Sequence, residues 1–77
     1  MTFRAINGAV VYGTTVLDES VAEGLRATYM DEYRAAVLAY DTAGAMAALD
    51  LHGALATAIM DARAHQRADE VRHALRR

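Results

Sequence analysis

The sequence predicts a mostly α fold opened by a short N-terminal β-hairpin, an antiparallel helical hairpin of order ββαα. Three observations carry that prediction. Asn7-Gly8 sits between two runs of β-forming residues, a helical periodicity sets in at Ser20, and no proline interrupts the 77 residues. The chain is read as one small domain over residues 1–77, with the hairpin over 1–17, a first helix over 18–40 and a second over 42–77.

The hairpin is the most local of these readings. Both central residues of a type I′ turn need positive φ, and Asn-Gly meets that need at low cost. The flanking runs, Thr2-Phe3-Arg4-Ala5-Ile6 and Ala9-Val10-Val11-Tyr12, are rich in β-formers. A lone two-stranded hairpin is marginal in water. It must therefore lie on the helices or join a second hairpin across a dimer.

For the first helix, Ser20-Val21-Ala22-Glu23 fits a capping box, with Ser20 as the cap and Glu23 reaching back to it. Asp18 and Glu19 complement the positive end of the helix dipole. At about 100° per residue, Val21, Leu25, Tyr29, Tyr33, Ala36 and Tyr40 fall in one apolar stripe, with Glu23, Asp31 and Arg34 on the other side. Met30, Val37 and Leu38 interrupt that polar side, so the later half of the helix is expected to be covered on more than one face. Tyr40-Asp41-Thr42-Ala43-Gly44 is the break, and Asp41 or Thr42 can cap the second helix. So short a connection makes that helix an antiparallel neighbour.

From Ala45 onward the one weak point for a helix is Gly53, which costs about 1 kcal/mol relative to alanine. One long helix is expected, with a bend or a division over residues 49–53 left open. Its apolar stripe changes direction. Leu51, Leu55, Ile59 and Ala62 share one side, while Ala64, Ala68, Val71 and Leu75 share another, more than about 100° away. Ala54, Ala58 and Ala62 recur every four residues and let another backbone approach closely.

Composition narrows the chemistry. The chain has ten acids against eight basic residues, a net charge of −2, and every basic residue is an arginine. With no lysine there is no Schiff-base chemistry, and with no cysteine there is neither a disulfide nor a thiolate ligand or nucleophile. Arginine-only usage with abundant alanine points to a high-GC bacterial or phage genome. Hydrophobic residues make up 55% of the chain, but much of that share is alanine, which buries little area. A domain this small then needs oligomerisation or a partner to be comfortably stable. Charge is uneven, with three arginines against seven acids up to Met60 and five against three from Asp61 onward. Residues 1–17 do not read as a signal peptide. Residues 43–60 are of membrane length, but a central aspartate such as Asp50 costs roughly 2.5–3.5 kcal/mol on insertion scales, so no membrane and a cytoplasmic location are expected.

Four constellations bear on chemistry. Asp61, His65, Asp69 and His73 recur every four residues, yet each adjacent pair supplies only two ligands and zinc wants three or four. A solvated face explains them better. His52 lies among apolar neighbours without a nucleophile to serve, and reads as a satisfied, half-buried histidine. Tyr29, Tyr33 and Tyr40 suit packing against a helix, the hairpin or a partner, with the hydroxyl at a wet edge. Arg63, Arg67, Arg72, Arg76 and Arg77 suit a helix C-terminus, with nucleic-acid phosphate as the weaker use. No catalytic, cofactor-binding or metal residue is assigned. The interface candidates are Tyr29, Tyr33, Tyr40, Ala68, Val71 and Leu75.

The segment Thr14-Thr15-Val16-Leu17-Asp18-Glu19-Ser20-Val21-Ala22-Glu23-Gly24-Leu25-Arg26-Ala27 resembles the strand and first helix of ribbon–helix–helix DNA-binding proteins. The resemblance implies a dimer whose paired strands enter the major groove, hence a transcriptional regulator. The residues themselves favour a non-catalytic protein–protein interaction module, an adaptor, inhibitor or assembly subunit that works as a homodimer or with a protein partner. An enzyme is not expected.

Overall fold

The computed structural model describes residues 2–76, and Met1 and Arg77 lie outside the described chain. Three strands, β1 (Phe3–Ile6), β2 (Ala9–Tyr12) and β3 (Thr15–Leu17), precede two helices, α1 (Glu19–Leu38) and α2 (Thr42–Leu75). The fold is mostly α in the order expected, with one strand more than the hairpin reading allowed. β1, β2 and β3 form an antiparallel meander in chain order. Asn7 and Gly8 have φ of 51° and 83°, the two positive values a type I′ turn requires. A second tight turn at Gly13, φ 63°, returns the chain as β3, which pairs Val10 with Leu17 and Val11 with Val16. The third strand covers one edge of β2 and removes the weakness of an isolated hairpin.

Register decides which strand residues reach the core. Phe3 lies opposite Tyr12, Ala5 opposite Val10, and Val10 opposite Leu17, so these share one face by the period of two. That face packs on the helices. The core joins Phe3 and Val10 to Ala22 of α1 and to Leu55, Ala58, Ile59 and Ala62 of α2. Leu17, Leu25 and Tyr29 pack around it. Phe3 stacks at 4.7 Å from Tyr12 and meets Tyr29 edge-on at 6.2 Å. Alanines at 22, 58 and 62 are all buried, which lets backbones come close where the layers meet.

The helix ends differ from the sequence reading at three points. α1 starts at Glu19 with Asp18 in the N-cap position, and Ala22 N–H donates to the Asp18 carbonyl. Ser20 is therefore inside the helix, and the capping box does not form. Glu23, freed from that role, turns to arginines. The inward stripe of α1 is centred on Ala22, Leu25, Tyr29, Tyr33 and Ala36, while Val21 is exposed. Starting the helix at Glu19, straight out of β3, aims Ala22 rather than Val21 at the sheet.

α1 ends before Tyr40. Asp41 N–H donates to the Ala36 carbonyl and Tyr40 N–H to that of Val37, the paired bonds of a Schellman motif. That motif needs a left-handed residue at its turning point, and Tyr40 takes it with φ 56°. Tyr40 thus leaves the stripe and stands 94% exposed. Asp41 then caps α2, its side chain accepting from Gly44 N–H at 2.9 Å. A Cβ at Gly44 would press on that carboxylate as it is placed here, so a larger residue would make the Asp41 side chain shift.

α2 runs through Gly53 without a division. Its 34 residues span about 51 Å at 1.5 Å each. The molecule is 56 Å long and 22 by 16 Å across, so this single helix sets its long axis. One glycine's propensity cost is too small to break a helix held on both sides of it.

Candidate functional site

α1 spans about 30 Å, well short of α2. The two are joined at residues 39–41, so α1 begins beside Arg63 of α2. There Arg63 donates to Glu19 and to Glu23, each at 2.8 Å. Arg26 donates to Glu23 at 2.9 Å, and its Nη1 lies 3.4 Å from His52 Nε2. The Arg26 hydrogen bond, with both nearby guanidinium charges, holds the Glu23 carboxyl below its ordinary range against the opposing effect of burial. The hydrogen bond to Glu19 in turn raises Arg63. This chain of charges straps α1 to α2. Arg63, grouped by sequence with the terminal arginines, is committed to ion pairs with α1 although its side chain stays exposed, and His52 is half-buried beside Arg26 as expected of a satisfied histidine. The partners lie 40 and 44 residues apart, so no local pattern announced them.

Beyond Arg63 the further cover on α2 comes from the β1–β2 turn. Gln66 Nε2 donates to the Gly8 carbonyl at 2.6 Å. Past Gln66 every described residue of the chain is exposed. Ala68, Val71 and Leu75 lie on that overhang, Val71 half uncovered and Leu75 more so. On the same stretch Asp69 is 3.6 Å from His65 and 3.4 Å from Arg72, ordinary solvated helix pairs. Asp61 and His73 do not join them in any cluster able to hold a metal ion among the described residues.

The opposite end is the tip of the helical hairpin. Between the last turns of α1 and the first of α2 lies a groove of about 340 Å³, walled by Tyr33, Val37, Tyr40, Met46 and Leu49. Val37 and Leu38 are exposed, so the later half of α1 is not covered on several faces within this chain. Of the three tyrosines, Tyr29 is spent on the core, where burial raises its hydroxyl above the ordinary value. Tyr33 and Tyr40 line the groove.

The six interface candidates therefore fall into three settings: Tyr29 inside, Tyr33 and Tyr40 at the tip, and Ala68, Val71 and Leu75 on the overhang. The sequence reading did not mark Met46 and Leu49 as part of the tip, although a Met and a Leu three apart at a helix start are such a signal. α2 is also long and apolar enough to cross a membrane, by length and composition alone. Neither family models, curated proteins nor solved structures provide a match to this chain.

Proposed function

We propose that this protein is a cytoplasmic, non-catalytic interaction module that binds a protein surface, a second copy or a partner, through its helical faces. One observation carries the reading. Leu55 is the single large side chain fully buried among the described residues, while Val37, Leu38, Tyr40, Met46, Met60 and Leu75 stand exposed. Soluble monomers seldom leave so much of their apolar content in water, and an uncovered patch of this kind marks a contact site. The ionisable groups fit the same reading, because Glu19, Glu23, Arg26 and Arg63 are spent on one another, along α1 and between α1 and α2.

The test is a pull-down from the native host with the wild type beside Val71→Glu/Leu75→Glu and Tyr33→Ala/Met46→Glu. Retention by the wild type and loss in either double variant supports the module. Equal capture by all three overturns it.

A DNA-binding role of ribbon–helix–helix type keeps one observation in its favour: β3 is an edge strand that leads directly into α1. β3 carries no basic residue, and its other edge is already paired within the chain. A duplex-DNA shift with a steep salt dependence would favour this alternative.

A further inference from the structure

The tip and the overhang are joined by one uninterrupted stripe on α2. Met46, Leu49, Gly53, Thr57, Met60, Ala64, Ala68, Val71 and Leu75 are all exposed. They follow spacings of three, four and four residues, repeated, so that Met46, Thr57 and Ala68 are eleven apart, as are Leu49, Met60 and Val71, and Gly53, Ala64 and Leu75. An eleven-residue repeat has about 3.67 residues per turn, close to the natural helix, so the stripe runs nearly straight along the axis. It fills a sector roughly 100° wide. Leu55, Ala58, Ile59 and Ala62 of the core lie on the opposite side of the helix. α2 is thus two-faced: one side serves its own chain, and the other, about 44 Å long, serves nothing within it.

From this we infer that the outer face of α2 is a homodimer seam, on which a second copy lies antiparallel with its two-fold axis at Met60. The inference rests on the interaction-module reading and names its partner. Two observations select a second copy in that orientation. Read from either end, the stripe has the same order of large and small residues: two large, two small, Met60, two small, two large. A copy turned end for end therefore meets an equivalent surface along the full length, as an isologous contact requires.

Charge then chooses the direction. Around the tip, Asp31, Glu32, Asp41 and Asp50 stand against Arg34 alone, whereas residues 67–76 hold three arginines against two acids. A parallel copy would bring like ends together. An antiparallel one sets acidic tip against basic overhang, and brings Asp50 within two residues, about 3 Å along the axis, of Arg72 of the second copy on the same edge of the stripe, while Glu70 comes level with it on the other edge. Asp50 makes no ion pair among the described residues. The same register leaves one mismatch, because Asp61 meets its own equivalent beside the axis.

Area sets what else must take part. A helix contact 44 Å long and about 10 Å wide covers roughly 400 Å² per copy, below the roughly 800 Å² of a standard interface. The groove beside Met46 and Leu49 lies at the end of the stripe, where Leu75 of the second copy arrives. Tyr33, Val37 and Tyr40 supply the remaining surface.

The experiment is sedimentation equilibrium of the full chain, with far-UV circular dichroism on every variant. The wild type is expected to be a dimer at micromolar concentration. Met60→Glu sets two carboxylates face to face at the axis and should weaken the dimer at least about 100-fold, with helix content unchanged because Met60 is exposed. Asp50→Arg and Arg72→Asp should each weaken it roughly 3–30-fold, and the double exchange should restore it. Asp61→Asn should tighten it. A wild type that is monomeric at millimolar concentration, or that floats with phosphatidylcholine vesicles instead of dimerising, overturns the inference. So does a dimer indifferent to Met60→Glu, or a double exchange no better than its single components. If the monomeric wild type still captures a host protein that the tip and overhang variants lose, the second copy is wrong and the interaction module stands.

Discussion

At the sheet end of the molecule, three layers of side chains converge on Leu55. At the hairpin tip, two helices meet with nothing laid over them. The same pair of helices makes both ends, and the difference lies in what the chain can place on top. Phe3, Val10 and Leu17 roof the first, and among the described residues Ala45 and Ala48 alone are buried at the second. Stability should therefore be concentrated where the sheet is, and recognition where it is not.

The largest effect expected is at Leu55. A domain of this size holds roughly 4–12 kcal/mol in all. Leu55→Asp forfeits about 2–5 kcal/mol of packing and buries a carboxylate without a partner, so the protein should be unfolded at 25 °C by circular dichroism. Leu38→Asp, at an 81% exposed site on the tip, should melt like the wild type. Equal losses from the two would break the comparison.

A smaller loss is expected where the tip begins. Asp41→Ala removes the side-chain cap of α2 and should cost about 1 kcal/mol in urea unfolding. Of similar size but opposite sign, Tyr40→Gly should gain about 0.5–1 kcal/mol, since the left-handed φ penalises any side chain and this one touches little. A loss at Tyr40→Gly would mean that the ring supports the tip in the free chain.

The smallest effect separates the two ends by pH. Glu23 has its carboxyl lowered in the folded state, so its contribution is present above the ordinary carboxylate range and fades as pH falls through the lowered value. Between about pH 5 and 3 the wild type should lose slightly more stability than Arg26→Ala/Arg63→Ala, measured as the difference in urea midpoints. Identical slopes would show that the strap between α1 and α2 does not tune Glu23.

How much of this was legible depends on the range of each interaction. Asn7-Gly8 and the Asp41 cap are decided within four residues; the first could be read directly, and the second was narrowed to Asp41 or Thr42. The third strand was hidden because Thr15-Val16-Leu17 is only three residues long and abuts a helix start, so it was absorbed into the hairpin. Ser20 satisfied the capping pattern, but Asp18 had already placed the first turn, and a pattern cannot choose between caps two residues apart. Tyr40 fitted the stripe on paper, yet a Schellman turn rotated it out. The Glu19–Arg63 and Glu23–Arg63 pairs were beyond reach because they exist only once the helices have folded back. At the candidate site, the overhang was deducible from two helix lengths, whereas the groove required knowing that nothing covers Val37.

The Gln66 bond to the Gly8 turn, and the core beneath it, have a consequence for how the protein is made. Nothing in the sheet is covered until Leu55, Ala58 and Ile59 exist, because the first half of the chain supplies only Ala22, Leu25 and Tyr29 as a roof. At ribosomal rates of about 5–20 residues per second, the stretch between Tyr29 and Leu55 takes roughly 1–5 s to synthesise. During that interval Phe3, Val10 and Tyr12 emerge with no helix to rest on, and the strand edges are open to neighbouring chains. Strands of four, four and three residues offer a nascent neighbour very little to pair with. Their brevity, which hid the third of them, also shortens the ladder on which aggregation during synthesis could begin.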